Sequence, residues 1–199
     1  MKLSKRGEYA LRSLINLGIA AEVGRKLVQV SELADYEQLP VKFLEQIMQA
    51  LKEGGYVVSV RGKFGGYRLS RPARKISIGE VVRLIDGPLA PIGCVSQTAY
   101  EKCTCPDETH CGLRMLMLDV RNAIAGILDR YSLGDVVEVT LRKLRRDSAP
   151  LPFSAESDAA IAGSQLPVRL ARKLSRTDGS SRLTEADGVL HQLLGDYTI

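Results

Sequence analysis

The chain of 199 residues contains no apolar run of about eighteen residues, so no stretch of it is long enough to cross a bilayer as a helix. Its opening, Met1-Lys2-Leu3-Ser4-Lys5-Arg6, leads into a mixed stretch instead of an apolar export core. No membrane partner is expected, and a cytoplasmic location is. Catalytic signatures are missing too. His110 and His191 stand far apart, and neither a Gly-x-Ser-x-Gly elbow nor a phosphate loop occurs. Gly62 to Gly66 lies between two strand-like segments, which excludes a nucleotide cradle of the usual strand-to-helix kind. The expectation is a protein that is not an enzyme. Cysteine is absent from nine-tenths of the chain, all four residues falling between Cys94 and Cys111. Scattered core thiols would not cluster so tightly, and without an export signal the cluster points to metal or redox chemistry over a structural disulfide.

Against these absences stands an ordinary hydrophobic content of 45%, enough for one good-sized domain or a small domain with an arm. Net charge is a mild +5, but it is unevenly spread. Residues 1–75 hold fourteen Lys and Arg against seven Asp and Glu, and the remainder is slightly acidic. Such asymmetry is the footprint of a polyanion-binding face, though alone it fits a solvated surface equally.

The basic half contains the unit around which the chain is organised. Ser31 suits the N-cap of a short helix over Glu32 to Glu37, and Leu39-Pro40 breaks it. Phe43, Leu44, Ile47, Met48 and Leu51 then recur at helical spacing up to Gly54-Gly55. That spacing leaves Lys42, Glu45, Gln46 and Gln49 on the other face, where such side chains can reach base edges in a major groove. Val57 to Val60 and Tyr67-Arg68-Leu69 read as a hairpin closed by Gly62, Gly65 and Gly66. Arg61, Lys63 and Arg68 put cations on this wing, as phosphate or minor-groove contact requires. The expected architecture is mainly α with a small β-wing: a winged helix-turn-helix domain followed by a long dimerisation helix.

Around that unit, a first helix is expected over Lys5 to Glu22, and Leu27 to Val30 as a short strand pairing with the wing. Ser77-Ile78-Gly79-Glu80 has capping-box spacing and opens another helix. Residues 1–88 thus form the DNA-binding domain and 89–111 a sensor loop. From about Glu108, Leu113, Leu116 or Met117, Val120, Ile124, Ile127 and Tyr131 repeat three and four apart, which suits a subunit interface helix, with packing inside one chain as the alternative. Ser132 begins a last core helix, which completes a segment over 112–146. Residues 147–199 form an extension of unassigned role: a linker from Asp147 to Pro167, then short helices over Val168 to Ser175 and Thr184 to Leu194.

Within the loop, Cys103-x-Cys105 followed by five residues and Cys111 suits an iron-sulfur cluster better than a tetrahedral zinc knuckle, whose cysteines come in pairs two to four apart. Zinc, a reversible disulfide or plain thiols remain alternatives. Cys111 lies near the start of the long helix, where the dipole favours a thiolate.

The opening through Arg12, the Ser59-Val60-Arg61-Gly62 wing with Gly65-Gly66-Tyr67, and the cysteine loop before a long helix together resemble the Rrf-two family of bacterial winged-helix regulators, over about residues 1–145. The resemblance implies a homodimer on a palindromic double-stranded operator, with Lys42, Glu45 and Gln46 at base-touching positions and Arg61 in the minor groove. It also implies three cysteines binding a cluster, 2Fe-2S or 4Fe-4S, and Cys105 and Cys111 keep the family gap. Cys103 is extra, Cys94 is more distant than the usual first cysteine, and Arg114 stands where one branch has a ligating histidine. Glu8 occupies the position from which other branches supply a carboxylate ligand to the partner subunit. The expected function is a dimeric regulator sensing iron, redox state or nitric oxide through the cluster. Its rivals are a cluster-free regulator sensing by thiol oxidation or a small ligand, and a redox or cluster-carrier protein.

Overall fold

Ser4 sets the start of the chain's central helix. Its hydroxyl accepts from the Gly7 N–H at 2.9 Å, which satisfies one of the donors orphaned at the N-terminus of α1 (Lys5–Glu22). A computed structural model describes residues 2–62 and 64–154. Lys63, the rest of the expected linker and both expected tail helices lie outside the described residues. Ala10, Leu14 and Leu17 bury one side of α1, which touches the later helices Val41–Glu53, Ile78–Asp86 and Leu133–Arg146 and the second strand of the wing. Gly18 allows one close approach: a Cβ there would stand 2.5 Å from Val137 Cγ2.

The helix-turn-helix pair is α2 (Val30–Glu37) and α3 (Val41–Glu53). Ser31 is not the cap. Gln29 takes that place, its side chain accepting from Glu32 N–H while Glu32 accepts from Gln29 N–H at 2.7 Å. Because Val30 is drawn into α2, the expected Leu27 to Val30 strand shrinks to one bridge, Val28 against Tyr67. The turn between the helices runs through Gln38 in the left-handed conformation, φ 55°.

The wing is an antiparallel pair, β1 (Val57–Val60) and β2 (Gly66–Leu69), with Val57 opposite Leu69 and Val60 opposite Gly66. Gly62 makes the turn at φ 119°, which side-chain-bearing residues rarely adopt. Then α4 (Ile78–Asp86) begins at Ser77 without the expected capping box. The Ser77 hydroxyl is buried and unpartnered, and Glu80, whose carboxylate would have to accept from the Ser77 N–H, is turned toward Arg71 instead, at 3.1 Å.

Beyond a loop with one 3-10 turn at Gly93–Val95 come α5 (Gly112–Arg130) and α6 (Leu133–Arg146). Here the capping box at Ser132 and Asp135 forms as expected. α5 starts at Gly112, a turn later than its apolar pattern suggested, because Asp107 accepts from the N–H groups of Thr109 and His110 and holds that stretch in a turn. No residue of α5 is buried. α6 lies against α1, and the Ile76, Leu33, Leu44 and Leu133 side chains are fully enclosed between the elements. The start of the expected linker is instead part of the body: Phe153 is buried and its ring packs at a tilt against Tyr36, with centroids 5.2 Å apart. Among the described residues, six α-helices and one small antiparallel sheet thus make a mainly α winged helix-turn-helix with a long helix alongside. Among the described residues no helix is long and apolar enough to cross a membrane.

Candidate nucleic-acid interface and cysteine centre

The period of α3 fixes what it shows to solvent. Leu44, Ile47, Met48 and Leu51 are buried, and the same 3.6-residue repeat leaves Lys42, Glu45, Gln46 and Gln49 exposed on the other face. Gln49 donates to Glu53 at 2.7 Å; the other three have open side chains facing outward. On the wing, Arg61 and Arg68 are exposed, and neither has an ion-pair partner among the described residues. Lys63 falls outside the described residues. One helix face and one hairpin therefore offer cations and amides together.

Two braces join the helices, one behind this surface and one between α4 and α5, and sequence reasoning missed both. Glu37, at the end of α2, is nearly enclosed and accepts from Asn16 Nδ2 of α1 at 2.5 Å. Arg12 closes on its second carboxylate oxygen as an ion pair without hydrogen-bond alignment. Farther along, Arg83 of α4 grips Asp129 of α5 through two nitrogens at 2.6 and 2.7 Å. These contacts join segments 21 and 46 residues apart, which no local pattern encodes.

The cysteine loop draws its thiols together unevenly. Cys103 Sγ accepts from the Cys105 N–H at 3.2 Å, and the Cys105 thiol is within hydrogen-bonding reach of both Cys103 and Cys111. Hydrogen bonding to Cys103, then burial and the neighbouring sulfurs, pushes the Cys105 thiol up to about 12. With Cys103 and Cys111 beside it, the Cys105 thiol resists carrying negative charge, a conflict that a neighbouring cation relieves. Cys111 is the N-cap residue of α5, where the helix dipole favours an anionic group. Cys94 is buried in the 3-10 turn and raised mainly by that burial, then by Cys103 and Glu108, while Arg114 opposes the shift. Among the described residues no three His, Cys, Asp or Glu side chains stand together at metal-holding geometry. Thiols are nonetheless the donor chemistry that soft metals and iron-sulfur clusters take.

Glu108 organises the loop. It accepts from the Tyr100 hydroxyl at 2.8 Å and lies 3.2 Å from Arg114 on α5. Arg114 is thereby committed to a carboxylate. Glu8 is not drawn to the loop within the subunit: Lys5 meets it at 2.7 Å and Arg12 at 3.6 Å. The Lys5 hydrogen bond holds the Glu8 carboxyl below its usual range.

Comparison with known proteins gives this geometry its context. The family model for Rrf2, iron-dependent transcriptional regulators, matches residues 3–139. The chain belongs to the Rrf2 family. The match runs from α1 into α6 and takes in α3, the wing and the cysteine loop. An rrf2-like HTH-type transcriptional regulator from Rhodobacter capsulatus is 37% identical over 139 residues, covering 68% of this chain and 91% of that protein. The HTH-type transcriptional regulator IscR of Photobacterium profundum is 27% identical over 173 residues, covering 87% and 92%. Among solved structures, CymR, the global cysteine regulator of B. subtilis, superposes with a TM-score of 0.58 at 28% identity, covering 69% of this chain and 97% of that one. IscR of T. potens superposes at 0.54 with 25% identity, covering 69% and 87%. These Rrf2 relatives are transcriptional regulators, and this chain is a transcriptional regulator of the same family.

Proposed function

We propose that this Rrf2 regulator binds a palindromic DNA operator as a homodimer, and that an iron-sulfur cluster held by Cys103, Cys105 and Cys111 sets how tightly it binds. The supporting observation is the convergence of those thiols at the N-terminus of α5. That helix carries Leu113, Leu116 and Ile127 on its surface with more than half of each exposed, an apolar face suited to a second copy of α5. A loop that tightens on a cluster shifts the start of the interface helix. The spacing of the two α3 helices shifts with it, and two successive major grooves tolerate little change in that spacing.

In this reading Lys42, Glu45, Gln46 and Gln49 face base edges, Arg61 and Lys63 serve the wing in the minor groove, and Arg68 meets phosphate. Cys94 is a weaker ligand candidate because it is buried within the 3-10 turn. Glu8 serves as the fourth ligand from the partner subunit, and ligation takes it away from Lys5 and Arg12. The cluster, when bound, supplies an iron centre that iron supply, oxidants or nitric oxide alter.

Anaerobic purification tests the reading. Brown protein with about two or about four irons per subunit is expected, with operator affinity that differs between loaded and stripped forms. Equal affinity in both forms overturns it. A thiol-based reading is favoured by a different observation, the Cys103–Cys105 contact, together with the likeness to an oxidised form of Staphylococcus aureus CymR, 29% identical with a TM-score of 0.55. Colourless protein that loses two thiols on peroxide treatment, and changes operator affinity as it does, selects that reading.

A further inference from the structure

Apart from the cysteine loop, α3 and the outer wing, the described residues form a large groove that has no role in the reading above. The C-terminal end of α1, strand β2 and α6 enclose a groove of about 930 Å3, within the range of small-ligand sites. Seven Arg and Lys line it against two Glu, an excess equal to the +5 of the entire chain. Some of that charge is answered from nearby: Arg25 pairs with Glu32, Arg71 with Glu80, and Arg74 with Asp135 and Glu138. Cations still outnumber carboxylates when these partners are counted.

Three features make the groove a site. Lys26 and Arg145 are exposed on its rim with no ion pair among the described residues. Arg71, on the lining, is fixed in place by the Tyr56 ring 5.1 Å beneath it and by Glu80 at 3.1 Å. Between the cations the floor is apolar, formed by Leu17, Val28 and Val137 with Tyr67 beside them. We propose that this groove binds a small organic polyanion of the nucleotide class, its flat body on the apolar floor and its phosphates against Lys26, Arg71 and Arg145. Arginine forks and a lysine point charge suit phosphate, and several cations at one rim suit more than one negative charge. Arg68 belongs to both this groove and the wing, so an occupant draws on a cation that faces DNA.

Titration calorimetry on the full-length protein tests this with ADP, pyrophosphate and adenosine as probes. Saturable ADP binding at one site per subunit is expected, with adenosine weaker. The double variant Lys26→Glu/Arg145→Glu should lose about tenfold or more in ADP affinity while melting at the same temperature as the parent without ligand. Absence of saturable binding by ADP and pyrophosphate overturns the proposal, as does equal ADP affinity in the variant. Loss of operator binding in the variant, with no nucleotide binding by the parent, also overturns it and assigns these cations to DNA phosphates. Cluster loading does not enter the readout, so the result is independent of the cysteine loop's role.

Discussion

Asn16 of α1 donates its side-chain N–H to the carboxylate of Glu37 at 2.5 Å, joining the scaffold helix to the last residue of α2 where both are buried. The next residue, Gln38, begins the turn that aims α3, so this bond helps fix the direction of the exposed α3 face. Asn16→Ala leaves a nearly enclosed carboxylate with one fewer donor. The expected cost is about 1–3 kcal/mol of folding stability. Urea unfolding checks it, as a lower midpoint with an unchanged slope. A midpoint equal to the parent's would show that Arg12 alone suffices.

Arg83 and Asp129 tie α4 to α5, and their contribution depends on acid in a definite direction. The Arg83 hydrogen bond holds the Asp129 carboxyl below its ordinary value of 3.8. A depressed folded value means the stabilisation is complete well above 3.8 and disappears as pH falls through the folded value. Both side chains are more than a third exposed, so solvent screening keeps Asp129→Asn to about 0.5–1 kcal/mol at neutral pH. Parent and variant stabilities should converge in acid below the folded value. A gap that persists there would mean the loss is packing and not charge.

Local physics made much of this legible in advance. The bounds of α1 and β1 follow from an apolar stripe and a β-branched run, and the exposed set on α3 is simply what the buried set leaves. Competition between neighbours was harder to read. Ser31 and Gln29 both suit an N-cap, and the Glu32 carboxylate decided for Gln29 by reaching its N–H at 2.7 Å. Ser77 had the right spacing, but Arg71 claimed Glu80. Contacts across long separations were not readable at all: Phe153 on Tyr36, and a basic groove assembled from α1, β2 and α6. The cysteine positions announced chemistry, whereas their convergence on Cys105 depends on a loop path that Glu108, Tyr100 and Arg114 determine.

The α5 face gives a test of assembly that spares the fold. Among the described residues none of α5 is buried, so Leu116→Glu or Ile127→Glu should leave a single chain's folding nearly intact. In a dimer built on that face the same change puts a charge into an apolar seam, which costs several kcal/mol unless paired. Sedimentation should show the parent as a dimer and either variant as a monomer. Variants that remain dimeric would place the interface elsewhere.

Arg61 and Arg68 separate groove reading from phosphate contact. Both are exposed on the wing and free of ion pairs among the described residues, so truncation leaves no buried partner behind. If Arg61 enters the minor groove, Arg61→Ala should weaken specific operator binding by about 1–3 kcal/mol and leave binding to unrelated DNA closer to the parent's. Arg68→Ala should weaken both kinds of DNA alike and lower the salt slope of log affinity by about one, because one fewer counterion is released. Fluorescence anisotropy on operator and scrambled duplexes across a salt series reads both quantities. Identical losses on both duplexes for Arg61→Ala would reduce that residue to a phosphate contact and move sequence reading wholly onto α3.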